Sequence, residues 1–193
     1  MSKRIVIVHG APRKKGNTRA VTRLAAEAAR REGAVVTEID VTKLAFSTPG
    51  CIGCAQCQQS DTYECTLGDE LARSVATLAE YDVIVFSTPL YWWSYSAQLK
   101  MFIDRMYSLC KFSDEEGIRS VVSGKTLALI ATAGGPMQDN LEVLESQLRN
   151  PAAMLGCSFA SCLFPDVRME AGDLKNDPLA AERAQAFGRL LAS

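Results

Sequence analysis

Ile5-Val6-Ile7-Val8-His9-Gly10-Ala11-Pro12-Arg13-Lys14-Lys15-Gly16-Asn17-Thr18 is the stretch on which the fold turns. Ile5–Val8 are four β-branched residues with no polar residue between them, the pattern of a strand buried on both faces. Gly10 and Pro12 bound that strand. From Thr18 to Arg31 the apolar positions Val21, Leu24, Ala25 and Ala28 recur at helical spacing, and Gly33 stops the helix. A buried strand, a short loop and a helix begin a parallel α/β unit.

The same alternation continues outward. Strands are expected at Ala34–Ile39, Tyr81–Ser87, Thr126–Thr132 and Cys157–Leu163. Helices are expected at Asp69–Glu80, Ser94–Cys110, Asn140–Leu155 and Pro178–Leu191, while Val41–Thr66 reads as irregular. Right-handed crossovers turn this order into an α/β fold, a doubly wound five-stranded parallel sheet in a three-layer αβα sandwich. No repeat, low-complexity tract or linker divides residues 1–193, which read as a single domain with a cysteine-rich loop at about 47–68. Ligands of such sheets bind beyond the carboxyl ends of the strands, where the strand order reverses. The loops after strands one, three and four are therefore the informative ones.

Composition narrows the chemistry. Twenty-one basic against 22 acidic side chains leave a net charge of −1, without the basic footprint of a nucleic-acid binder. No apolar run approaches the roughly 20 residues of a membrane helix, and Ile5–Val8 is too short for a signal-peptide core. A cytoplasmic protein without nucleic-acid or membrane partners is expected. His9 is the one histidine, so a His-rich zinc site is impossible and a Ser-His-Asp triad would have to use it. The seven cysteines are an odd count for a disulfide framework, and four of them fall between Cys51 and Cys65.

The first loop offers glycines for close backbone approach, Arg13 for charge, and Asn17 and Thr18 at a helix start. Those features suit a phosphate, and equally an ordinary basic turn with an N-cap. It has neither Gly-x-Gly-x-x-Gly nor a Gly-Lys-Ser/Thr ending. Gly124-Lys125-Thr126 does end that way but precedes a strand, and Arg119 stands where the nucleotide motif has glycine. After strand three, Thr88-Pro89-Leu90-Tyr91-Trp92-Trp93-Ser94 brings three aromatic residues to one strand end, to line a flat cofactor or to form a subunit contact. After strand four, Ala133-Gly134-Gly135-Pro136 lets the backbone approach a ring or makes a plain turn.

Cys51-x-x-Cys54-x-x-Cys57, followed by Cys65, is the sharpest local signal. Iron–sulfur clusters take four thiolates, and closely spaced cysteines let one loop supply them. Zinc on four cysteines and metal-free or redox-active thiols are the alternatives. Cys110, Cys157 and Cys162 lie in expected helix or strand, where a thiol packs as a small hydrophobe.

Taken together, these loops resemble the flavodoxin-like NAD(P)H-dependent FMN reductases, and their iron–sulfur flavoprotein branch in particular. The resemblance runs through Gly10–Thr18, Pro89-Leu90-Tyr91-Trp92, Ala97-Gln98-Leu99-Lys100, Phe102-Ile103-Asp104-Arg105, Thr132-Ala133-Gly134-Gly135 and Gly172–Asp177. It implies non-covalent FMN, with Ala11, Arg13, Gly16, Asn17 and Thr18 at the phosphate. Pro89, Leu90, Tyr91, Trp92, Ala133, Gly134 and Gly135 would meet the ring. It also implies a [4Fe–4S] cluster on Cys51, Cys54, Cys57 and Cys65, and NAD(P)H as electron donor. Ala11 departs from the family, which usually has a hydroxyl residue there; losing one hydrogen bond to a charged group costs roughly 1.5–3 kcal/mol. The implied activity is an oxidoreductase with flavin chemistry and no catalytic side chain, serving a small-molecule acceptor. The alternatives are an electron carrier for a ferredoxin-like protein and a non-redox flavin- or zinc-binding module. A homodimer or homotetramer is implied as well.

Overall fold

The computed structural model describes residues 2–115, 117–168, 170 and 172–193. The strands are β1 (Arg4–His9), β2 (Val35–Asp40), β3 (Val83–Pro89), β4 (Cys110–Ser113), β5 (Gly117–Ser120), β6 (Thr126–Thr132) and β7 (Ser158–Phe164). The helices are α1 (Asn17–Arg31), α2 (Gln56–Gln59), α3 (Glu70–Ala76), α4 (Ala97–Arg105), α5 (Glu142–Met154) and α6 (Pro178–Ala192). Five strands form one parallel sheet in the order β2-β1-β3-β6-β7. This is the flavodoxin-like order, and it reverses direction between β1 and β3.

Both faces of the sheet are buried, which explains why its central strands carry continuous apolar runs. Ile5 and Ile7 pack under Val21, Ala25, Ala184 and Phe187 of α1 and α6. Val6 and Val8 face the opposite way, toward Leu71, Leu99, Phe102 and Leu144 of α3, α4 and α5. The helices α1 and α6 touch closely at Gly188, where a Cβ would stand 2.1 Å from the Ala25 carbonyl oxygen. No helix among the described residues is long and apolar enough to cross a membrane.

Several elements differ from expectation, among them α2 within the stretch read as irregular and α3, which ends at Ala76 and continues as a tighter turn to Glu80. The helix expected to run to Cys110 is α4 only as far as Arg105, followed by a tighter turn over Met106–Leu109. Ser108 Oγ donates to the Arg105 carbonyl at 3.0 Å, offering the backbone an alternative to continued α-helix. Cys110 instead opens β4, which pairs antiparallel with β5 in a small hairpin that its short, polar strands did not reveal. The helix α5 starts at Glu142 because Asp139 turns left-handed, with φ of 53°.

Candidate functional site

A cleft of about 240 Å³ opens at the carboxyl ends of β1, β3 and β6, at the reversal of strand order. Ala11, Arg13, Gly16, Asn17 and Thr18 line it from the first loop. Pro89, Leu90 and Tyr91 line it after β3, and Ala133 and Gly134 after β6. Trp92 and Gly135 stand outside the wall: Trp92 is 90 % exposed, and Gly135 sits against the Asn140 amide. Pro12, Thr132, Val167 and Arg168 also line the cleft and were missed. The last two follow β7, another strand end on this side of the sheet, and that position was the available signal.

The first loop is held almost wholly by backbone and buried hydroxyls. Gly10 N–H donates to the Ser87 carbonyl at 2.8 Å, and the Ser96 hydroxyl donates to the Gly10 carbonyl at 2.7 Å. Ser96 also caps α4. A Cβ on Gly10 would lie 2.5 Å from Leu99 Cβ, so only glycine lets loop and helix meet this closely. The hydroxyls of Thr18 and Thr132 pair at 2.7 Å, as do those of Thr22 and Ser87. Arg19 grips the Ala11 carbonyl and the Asp40 carboxylate.

At α1 the sequence placed an anion site, and the local electrostatics suit one. The first turn has no acidic residue and no side-chain cap, so the positive end of the helix dipole faces the cleft uncompensated. Asn17 acts differently from expectation. Its amide donates to the Arg168 and Glu170 carbonyls at 3.1 and 3.0 Å, and its oxygen accepts from Gly172 and Leu174 N–H. That side chain is committed to the segment before α6, which leaves its backbone N–H for any anion.

The loop after β3 is strained. Tyr91 and Ser94 bridge to one another across Trp92 and Trp93, whose φ values are 51° and 61°. Aromatic residues rarely occupy that conformation, at a cost of order 1–3 kcal/mol each. Neighbours hold it in place: Trp93 Nε1 donates to the Asp139 carbonyl at 2.8 Å, and Gln147 Nε2 donates to the Trp93 carbonyl at 2.9 Å.

Cys51, Cys54, Cys57 and Cys65 line one cavity together with Ile52, Leu67, Arg105 and Tyr107. No carboxylate or histidine belongs to its wall, so thiols are its strongest metal donors. Among the described residues, no three His, Cys, Asp or Glu side chains converge tightly enough to hold a metal ion. The cavity has a volume of about 10 Å³, near the minimum for one water. Cys51 and Cys54 are exposed, so their arm has room to move outward, whereas Cys57 is buried. The rear of the loop is pinned to the hairpin: Lys111 Nζ donates to the carbonyls of Cys57, Ser60 and Thr62. Gln58 Nε2 donates to the Cys110 carbonyl at 3.0 Å, and its oxygen accepts from Phe112 N–H. Burial pushes the Cys110 and Cys157 thiols up, and Cys162 up to about 11, in keeping with a packing role.

Comparison with known proteins adds to this geometry. An iron–sulfur flavoprotein of Methanocaldococcus jannaschii is 26% identical over 98% of this chain and 95% of its own length. Among solved structures, an FMN-dependent NADH-azoreductase from Bacillus anthracis, in complex with FMN, superposes with a TM-score of 0.72. It is 14% identical, over 99% of this chain and 100% of that one. An NAD(P)H:quinone oxidoreductase from Methanothermobacter marburgensis also has a TM-score of 0.72, at 21% identity, over 100% of this chain and 98% of that one. At these identities the two solved structures establish the shared fold. The family model described as NADPH-dependent FMN reductase matches residues 3–163, and the chain belongs to that family of oxidoreductases.

Proposed function

We propose that the cleft binds FMN non-covalently and that NAD(P)H reduces it, with the electrons passing to a small-molecule acceptor or to a [4Fe–4S] cluster on Cys51, Cys54, Cys57 and Cys65. The observation that carries this reading is the convergence of three separate loops on one cleft. An uncapped helix start, Arg13 and Arg168 line it alongside Pro89–Tyr91 and Ala133–Gly134. Phosphate suits the first group, and a flat ring suits the second. Bound flavin would supply acceptance of a hydride and release of single electrons. The chain's own part is to fix the phosphate, shield the ring and leave room above it for the nicotinamide. None of this needs an imidazole, and His9 is engaged with Glu38 at 2.9 Å. The four thiols in the wall of the cysteine cavity and the iron–sulfur flavoprotein relative support the cluster.

A second reading, an electron carrier for a ferredoxin-like protein, draws on the exposure of Cys51 and Cys54. A cluster there would lie close to a docked partner. The exposed Tyr91, Trp92 and Trp93 fit a homodimer or homotetramer contact, and seven free cysteines fit a cytoplasmic location.

Purification without oxygen, followed by an absorption spectrum, iron, sulfide and zinc analysis and NAD(P)H oxidation assays, tests both readings. The reductase reading expects bound FMN, turnover with a quinone or azo dye, and about four irons per chain. Turnover absent but electron exchange with ferredoxin rapid would replace it with the carrier. Bound flavin that neither nicotinamide nor reduced ferredoxin reduces would overturn both.

A further inference from the structure

Arg105 is only 1 % exposed, and flavin binding gives it no task. It ends α4, the helix that follows the Pro89–Tyr91 loop, and reaches into the wall of the cysteine cavity. Its Nη1 donates to Cys65 Sγ at 3.4 Å. Its Nε donates to the carbonyl of Gly50, immediately before Cys51, and its Nη2 to the Thr48 carbonyl at 2.9 Å. The counter-charge is Asp69, which accepts from Nη1 and Nη2 at 3.3 and 3.2 Å. Asp69 is shared, however: it also accepts from Ser47 N–H, the Ser47 hydroxyl and Ala72 N–H. Among the described residues lining the cavity, Arg105 is the one charged side chain.

We infer that Arg105 positions the two ends of the cysteine loop and, through its contact with Cys65, sets the reduction potential of the iron–sulfur group. The inference rests on the cluster reading above. Four thiolates around an oxidised cubane leave a net charge of about two minus, and uptake of one electron makes it about three minus. A guanidinium in contact favours the more negative state, and a hydrogen bond to the sulfur acts in the same direction. Arg105 therefore makes the group easier to reduce by a nearby flavin.

Full-length protein, reconstituted with iron and sulfide without oxygen, tests this through metal analysis and an EPR-monitored redox titration. Arg105→Gln is expected to lower the midpoint potential. Arg105→Lys is expected to lower it less, since the ammonium keeps the charge and loses the planar fork. Asp69→Asn is expected to raise it, because the Arg105 charge is no longer offset. Equal potentials in wild type and Arg105→Gln, at equal iron content, overturn the inference. Should Arg105→Gln not fold, unmoved potentials in both Arg105→Lys and Asp69→Asn do the same. Wild-type protein that holds flavin but takes up neither iron nor sulfide overturns the cluster reading and this inference together, and the metal analysis alone separates that result from the others.

Discussion

The cleft and the cysteine loop meet the two ends of the same helix and are built in opposite ways. At the start of α4, Ser96 bonds the Gly10 carbonyl within a frame of parallel-strand register and buried hydroxyl pairs. At its end, Arg105 gathers the carbonyls of Thr48 and Gly50, the Cys65 sulfur and Asp69. The cleft is thus positioned by many small backbone and hydroxyl contacts. A few long charged side chains, Arg105 and Lys111 foremost, position the cysteine loop. A site that rests on regular structure degrades gradually, whereas one that rests on single charges fails at single positions.

Removing one such charge gives the largest expected effect. Arg105→Ala leaves Asp69 and two carbonyls without their partner, and breaking a buried pair this way costs about 3–5 kcal/mol. Chemical denaturation should show that loss, and hydrogen exchange should place it at residues 47–69. Protection of the β1, β3 and β6 amides should stay unchanged. Loss of protection in those strands too would break the contrast between the regions.

The cleft responds to a gain instead. Ala11 lines it, and Ala11→Ser places a hydroxyl at the proposed phosphate end. One hydrogen bond to a charged group is worth roughly 1.5–3 kcal/mol, so FMN should bind at least about tenfold more tightly. Flavin fluorescence titration measures this, and iron content should not change. Unaltered affinity would mean that the phosphate does not reach Ala11.

Acid should separate the regions most gently. Burial opposes ionisation of Asp69, yet the Ser47 and Ala72 N–H groups, the Ser47 hydroxyl and Arg105 hold its carboxyl at about 2, against an ordinary 3.8. The stabilisation is complete above about pH 4 and is lost as the pH falls toward 2. Hydrogen exchange measured down that range should loosen residues 47–69 before β3 and β6, whereas the edge strand β2 carries Glu38, which His9 and Arg30 also hold at about 2. In Asp69→Asn that pH dependence should vanish.

Much of the cleft was legible from local pattern. Ile5–Val8 and Thr126–Thr132 are strands because both sheet faces are buried, and Gly10 and Gly16 mark a loop that must approach other backbone closely. Trp92 was less legible. An aromatic residue after Leu90 and Tyr91 suggests a ring contact, but the two-residue turn rotates Trp92 out to solvent. Asn17 looked like a phosphate ligand from its place at a helix start, and its side chain bonds the backbone of Arg168, Glu170, Gly172 and Leu174. The hairpin of β4 and β5 was hidden because its strands are only four residues each, too short for an alternation such as Cys110-Lys111-Phe112-Ser113 to stand out.

By itself, then, the sequence determined the alternation of buried strands and helices, the side of the sheet on which the cleft opens, and the spacing of four thiols. These are local properties, carried by neighbouring residues through periodicity and backbone preference. Only the tertiary structure decided that Arg105 meets Gly50 across 55 residues and Cys65 across 40, and that Asn17 meets Gly172 across 155. Such pairings depend on how the crossovers wind and how the helices pack on the sheet, and spacing along the chain carries no record of them.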